Sequence, residues 1–524
     1  MLTYTLSSDD SRPLYEQLCG FLRRDILSGR LPSGARLPSK RSLSGNLGVS
    51  SITVVSAYNR LIDEGYVRSE PKRGYYVSEL SGRDCRPPEA PAVSIRLPEV
   101  YDAPLDLSGN RTPAARFPFS VWAHLMRETI NEHGEALLHP SPCGGVRPLR
   151  EAIAAHLRSF RGMSVDPDQI IVGAGTEYLY GLLIQLLGKD RVYCLEDPGY
   201  RKIAQIYASN GACCRWAAMD DLGISIAGLE AAGADVVHIS PTHHFPTGIT
   251  MPVSRRYELL SWASALPGRT IIEDDYDSEF RLTGRPIPSL QSIDTDGCVI
   301  YMNTFSKTLA STIRISYMIL PPVLANRYYS QLSFYSCTVS SFEQYCLARF
   351  LSGGWFEKHL NRMRLFYARL RRELLQVIAD SPCADRLTVL ERDSGLHFLL
   401  QIRTALSDTL LLERLRERGI SLVPLSAYYR NAQDAPDHTF ILNYSSLSAA
   451  DLARALRLLS DLISRRFPHV HSLSSCRCHR RRCFRNRSRS GSCAGSRTPR
   501  APAGTAAAHR PQAACHWQRP LQPL

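Results

Sequence analysis

Lys307 sits where covalent chemistry is possible. In Tyr301-Met302-Asn303-Thr304-Phe305-Ser306-Lys307 it follows an apolar run, with hydroxyls at Thr304 and Ser306 before it and Arg314 after it. An amine bonds a carbonyl carbon, while hydroxyls and a guanidinium bind phosphate, so this stretch suits a phosphorylated aldehyde. Alone, a lysine here is an ordinary surface charge. Three further segments change that weighing. Ile170-Ile171-Val172-Gly173-Ala174-Gly175-Thr176-Glu177 runs from an apolar stretch through two glycines. A helix beginning at Gly175 and Thr176 would present free N–H groups to a phosphate, although glycine-rich strand-to-helix turns are common. Glu196-Asp197-Pro198-Gly199-Tyr200 offers Tyr200 to stack on a flat ring, where a turn with a packed aromatic is the plainer account. Ile271-Ile272-Glu273-Asp274-Asp275-Tyr276-Asp277 ends another apolar run in carboxylates. Such acids are usually solvated or metal-binding. A buried Asp274 beside a pyridine nitrogen would instead keep it protonated and strengthen the ring as an electron sink, with Tyr276 donating to the ring's phenolic oxygen.

These segments need a scaffold. Apolar runs at 170–172, 191–195, 236–240, 270–273 and 299–302 alternate with helix-period stretches between 105 and 467. That alternation predicts a large α/β domain over 105–467 with a mainly parallel sheet.

The N-terminal stretch has a different pattern. Leu14, Leu18, Phe21, Leu22 and Ile26 recur at helical spacing. Ser39 suits the N-cap of a short helix reaching Leu47, and Gly48 suits the turn after it. Ser50 or Ser51 caps a third helix that turns Val54, Tyr58, Leu61 and Ile62 inward. Short strands near 66–68 and 75–77 flank Lys72-Arg73-Gly74. Residues 1–79 therefore read as an α+β winged helix-turn-helix. Ser39, Lys40 and Arg41 then lie at a helix N-terminus suited to DNA phosphates. Ser50, Ser51, Ile52, Thr53, Ser56 and Asn59 lie on the second motif helix, whose outward residues can meet base edges, and Lys72 and Arg73 tip the wing. The plainer account is a small helical unit with solvated charges; turn, caps and basic wing together favour DNA.

Residues 80–104, rich in Pro, Ala and charge without a period, read as a linker. Residues 468–524 change abruptly to Arg, Ser, Pro, Ala and Cys. A nucleic-acid-binding tail, disorder without a role, and out-of-frame translation all fit, and the last is preferred. Cys476, Cys478, His479 and Cys483 are irregularly spaced around Arg480–Arg482, so no metal is expected there.

The net charge of +14 divides unevenly. Residues 471–524 hold eleven arginines and no acid, residues 1–78 carry +4, and 79–470 carry −1. The basic character lies at the two ends, which bears on partners and not on fold. A chain of 524 residues with 44% hydrophobic and 21% charged content implies two or three soluble domains. No apolar run reaches the roughly 18 residues of a membrane span, and the start lacks a signal pattern, so no membrane partner and a cytoplasmic location are expected. Fifteen cysteines without a regular framework are expected to be reduced thiols.

Leu37-Pro38-Ser39-Lys40-Arg41-Ser42-Leu43, Leu47-Gly48-Val49-Ser50 and Leu61-Ile62-Asp63-Glu64-Gly65-Tyr66 resemble the GntR type of winged helix across 12–78. Residues 105–467 resemble a class-I, fold-type-I aminotransferase domain, which implies a smaller C-terminal α+β subdomain and pyridoxal 5′-phosphate (PLP). With His244-Phe245-Pro246-Thr247-Gly248, Glu273-Asp274-Asp275-Tyr276-Asp277-Ser278-Glu279-Phe280-Arg281 and Thr304-Phe305-Ser306-Lys307, the whole resembles the MocR/GabR group of transcriptional regulators. That resemblance implies a PLP-dependent DNA-binding homodimer in which one chain's linker carries its DNA module across the other's large domain. It also implies that Lys307 forms the internal aldimine, Asp274 pairs with the ring nitrogen, Tyr276 pairs with the ring oxygen and Tyr200 stacks. Gly175, Thr176, Ser306 and Arg314 would hold phosphate, with Thr304 beside them.

Two departures bear on function. Aminotransferases place asparagine where Phe245 stands and a carboxylate-clamping arginine near Ile441, yet no arginine occurs between His438 and Leu447. Lys202 and Arg430 are the candidate substitutes. The expectation is a sensor of PLP itself or of an amine, in which a transamination half-reaction survives without efficient turnover. The alternatives are an active aminotransferase with an accessory DNA module, and a DNA-binding protein whose PLP site is vestigial.

Overall fold

The computed structural model describes residues 2–7, 11–80, 97, 102–110, 112–281, 287–390 and 395–464. Most of the linker segment and all of 468–524, including its cysteines, lie outside the described residues. The chain divides into two units, Met1–Ala103 and Pro104–Leu524.

In the first unit, α1 (Leu14–Leu27), α2 (Lys40–Leu47) and α3 (Ser51–Asp63) precede a hairpin of β1 (Val67–Glu70) and β2 (Gly74–Val77). Ser39 caps α2 by accepting from Ser42 N at 3.1 Å, and Gly48 ends it at φ 66°. Ser50, of the two serines considered, caps α3 through Thr53 N at 3.1 Å. Leu18, Leu22, Val54, Ala57, Tyr58 and Leu61 close the core. The Tyr58 hydroxyl donates to Pro38 O at 2.9 Å while its ring packs 4.8 Å from Tyr75, so one side chain fastens the turn before α2 to the wing.

The second unit is built on an eight-stranded sheet. Its strands are β4 (Ile170–Gly173), β5 (Val192–Asp197), β6 (Cys213–Asp220), β7 (Gly223–Ile224), β8 (Val236–Ile239), β9 (Thr270–Asp274), β10 (Val299–Thr304) and β11 (Ser316–Ile319). The spatial order is β4-β11-β10-β9-β8-β5-β6-β7. Pairings from β10 through β9, β8 and β5 to β6 are parallel. β11 runs antiparallel between β10 and β4, and edge strand β7 is antiparallel to β6. Successive strand residues enter opposite layers: Ile300 and Met302 pack with Leu183 of helix Thr176–Leu187, whereas Tyr301 packs with Leu157 of helix Arg147–Arg161. Both faces are covered, which is why these strands read as continuous apolar runs.

A smaller sheet follows, from β12 (Leu387–Leu390), β13 (His397–Ile402), β15 (Val423–Pro424) and β16 (Thr439–Asn443), ordered β12-β13-β16-β15 and antiparallel. Helices Trp355–Ala379 and Ala449–Ser464 contribute to its core. The pair β3 (Leu105–Asp106) and β14 (Ile420–Ser421) ties the start of the unit to this subdomain. Among the described residues no helix is long and apolar enough to cross a membrane, and the nine described cysteines are free.

Candidate functional site

The C-terminal ends of β4, β5, β9 and β10 open on one cavity of ≈ 440 Å³. Open parallel sheets place ligands at this edge because helix N-termini and loops converge there. Gly175, Thr176, Tyr200, Asp274, Tyr276, Thr304, Ser306, Lys307 and Arg314 all line it.

One end is built for an anion. β4 turns into helix Thr176–Leu187 through Gly175 at φ 92°. Gly173 and Thr304 both register with Ser316, so the turn after β4 and the turn after β10 meet across the start of β11. The antiparallel course of β11 delivers Arg314 to the same edge, in left-handed backbone at φ 52°. A non-glycine residue held there stores strain that its surroundings must support. A Cβ at Gly175 would fall 2.5 Å from Arg314 Nη2, so only glycine leaves the guanidinium its place. Glu177 joins Arg314 (3.4 Å) and Lys202, and the Lys202 hydrogen bond holds its carboxyl below the usual range. Thr304 is partly committed: its hydroxyl accepts from Ser306 N at 3.1 Å and from Ser316 Oγ at 2.8 Å.

Asp274 is held in place from several sides. Its Oδ2 accepts from the Tyr180 hydroxyl and lies 3.5 Å from His238 Nε2, whose Nδ1 is 2.7 Å from the Tyr207 hydroxyl. Its Oδ1 is buried without a protein partner. A buried oxygen of that kind calls for a donor, and a protonated ring nitrogen is one. Tyr180, Tyr207 and His238 escaped the sequence reading. His238 carried a signal, a polar residue inside an otherwise apolar strand.

Lys307 lies in a one-turn helix, Phe305–Thr308, one turn beyond the strand that the sequence pattern led to. Burial pushes its amine down to about 8, against the pull of nearby Asp277. Asp277 is 2.7 Å from His243 Nδ1, which is also 3.2 Å from the Tyr276 hydroxyl. A Cβ on Gly395 would collide with the His243 ring. Nearby, Glu196 and His244 lie 3.4 Å apart. Burial raises Glu196 to about 8, and burial followed by His243 lowers His244 to about 3, so both are neutral near pH 7.

Phe245, Val423, Tyr428 and Ile441 form an apolar stretch of the remaining wall, beside the uncharged polar Ser108, Asn110 and Asn443. Phe245 lies edge-on to Tyr200 and Tyr428, and packs with Leu399, Leu425 and Ile441. Neither candidate substitute for an arginine at 441 is free: Lys202 pairs with Glu177, and Arg430 lies 4.4 Å over the Trp216 ring.

In the first unit, Ser39, Lys40 and Arg41 share a recess of ≈ 300 Å³ with Arg36, which the sequence did not single out. Lys40 lies over the Tyr75 ring at 5.2 Å. Ser50 at the cap of α3 and Ser51, Ile52 and Asn59 on it are exposed, Ile52 at 77%, and Lys72 and Arg73 are exposed on the hairpin. Thr53 is half-buried and bonds Ser50, while Ser51 Oγ lies 3.3 Å from Ser44 Oγ, so part of this set is occupied in shaping the helix.

The family of bacterial regulatory proteins, gntR family, matches residues 14–77, and aminotransferase class I and II matches residues 104–459. The uncharacterized HTH-type transcriptional regulator YdeL of Bacillus subtilis is 34% identical over 85% of this chain and 96% of its own length. The probable rhizopine catabolism regulatory protein MocR of Rhizobium meliloti is 32% identical over 87% and 94%. Kynurenine aminotransferase of Pyrococcus horikoshii superposes with a TM-score of 0.60 at 25% identity, over 69% of this chain and 90% of that one. A gntR-type domain joined to an aminotransferase domain, at this identity to whole relatives, places the chain in the MocR/GabR-type group of HTH transcriptional regulators.

Proposed function

We propose that this regulator holds PLP on Lys307 and that the cofactor, or an amine reacting with it, changes its affinity for an operator. Asp274 carries the reading: its braced carboxylate, with one buried oxygen left unpartnered, shares a cavity with Lys307 and with the Gly175–Arg314 cradle. The residues present fit PLP. Arg314, Gly175, Thr176 and Ser306 would hold the phosphate, Asp274 the ring nitrogen, Tyr276 the ring oxygen, and Tyr200 the ring face. Bound there, PLP supplies an aldehyde that takes up primary amines. Coupling to DNA requires that the ligand bind two states of the protein unequally.

As a homodimer, the protein would take an operator with two-fold related half-sites. Footprinting on the gene's own upstream region, with and without PLP, tests the proposal. A footprint that PLP changes in the wild type and not in Lys307→Ala is expected; identical footprints in all four arms reject it. Replacing Lys40 and Arg41 together by alanine is expected to weaken binding about ten-fold and flatten its salt dependence by about two phosphate contacts. Titration over a range of salt measures this. An unchanged slope removes these residues from the interface.

Gly175→Ala provides a check on the phosphate end. The added methyl meets Arg314 and forces left-handed backbone on alanine. PLP is expected to lose about ten-fold in affinity, or ~1.4 kcal/mol, while phosphate-free pyridoxal is unaffected. Equal losses for both ligands would place the phosphate elsewhere.

A further inference from the structure

We propose that the effector is a primary amine with an aryl or alkyl body and no carboxylate. This rests on PLP being held at Lys307, and it concerns what the rest of that cavity accepts. Among the described residues the cationic side chains lining the cavity are Lys202, Lys307 and Arg314. Arg314 and Lys202 share Glu177, and Lys307 and Arg314 are the groups that PLP itself engages. Glu177 and Asp274 line the same space, so among the described residues a second anion would meet no uncommitted cation.

The apolar wall argues in the same direction. Ile441 is 2% exposed, registers with Val423 and Leu399 on neighbouring strands, and clusters with Phe245 and Tyr428. Among the described residues, the arginines near this wall are engaged. Arg430 covers the Trp216 ring, and Arg201 Nη2 donates to Tyr429 O at 2.8 Å. A carboxylate pressed against Ile441, Val423 and Phe245 would leave water without a charged partner. An aromatic or aliphatic body loses nothing there and gains apolar contact with Phe245 and Tyr428.

A matched pair isolates the carboxylate: phenethylamine and phenylalanine share one body and one amine. Each is titrated into PLP-loaded full-length protein, and the change in the cofactor's near-visible absorption is read at equilibrium. Phenethylamine is expected to half-saturate at a concentration at least about ten-fold lower than phenylalanine. Ile441→Arg is expected to reverse that order by giving the carboxylate a bidentate partner. Phenylalanine binding as well as phenethylamine to the wild type overturns the proposal, as does a PLP band that neither compound moves. The wild-type comparison stands even if Ile441→Arg does not fold. A protein that develops no band with PLP refutes the cofactor reading itself, which separates the two failures.

Discussion

Replacing Lys307 with alanine is expected to abolish covalent retention of PLP while leaving the fold intact. Lys307 is half-buried at the cavity, and its main-chain carbonyl oxygen accepts from Thr112 Oγ1 at 3.4 Å. Truncation therefore removes an amine without opening the core. Phosphate and ring contacts remain, so reversible binding should persist about 100-fold weaker, or ~2.8 kcal/mol. Borohydride reduction followed by denaturation should leave the cofactor on the wild type and none on the variant. A label retained elsewhere in Lys307→Ala would reject the assignment. The pH dependence follows from burial. An amine lowered to about 8 is increasingly neutral, hence nucleophilic, as pH rises, so the rate of covalent uptake should climb toward pH 8 and level off above it. Asp277 favours the ammonium, so Asp277→Asn should move that rise to lower pH.

Arg161→Ala is expected to be the most destabilising single change near the site. Arg161 forms an ion pair with Asp275, their side chains only 2% and 1% exposed. The Tyr301 hydroxyl donates to the same carboxylate at 2.7 Å, and Arg161 Nη1 donates to Ile287 O at 2.5 Å. Removing the guanidinium leaves Asp275 charged and buried, which costs about 3–5 kcal/mol. Asp275 follows Asp274 directly, so the cofactor site should loosen as well. Urea unfolding measures the loss, and a change below about 1 kcal/mol would contradict the account. Arg161→Met combined with Asp275→Leu should recover much of the stability, because an apolar pair leaves no unpaired charge. Recovery would assign the cost to the orphaned carboxylate and not to lost packing.

Local signals in the sequence have local physical causes. Ser39 and Gly48 bracket α2, and Ser50 opens α3, because capping is a contest among near neighbours in the chain. The α/β alternation was legible because strands covered on both faces must be apolar throughout. The same property hid the direction of β11, since an antiparallel strand buried on both faces looks no different from a parallel one. That direction brings Arg314 to Gly175. The bracing of Asp274 by Tyr180 and Tyr207 was equally invisible, because it joins a strand end to two helices, and only polar His238 in an apolar strand hinted at it. Arg161 and Asp275 stand 114 residues apart, and nothing local in either segment marks them as a buried pair.

The sequence by itself determined the pairing of a winged helix with an aminotransferase-type domain, the candidate segments for the chemistry, and the lack of an arginine between His438 and Leu447. Caps, periodicity and residue type carry that information within a few turns of chain. Only the tertiary structure decided which charges are already paired, which Asp274 oxygen is left without a donor, and that the surroundings of Ile441 are apolar. Those are properties of burial and mutual distance, and they arise only when segments far apart in the chain converge on one sheet edge.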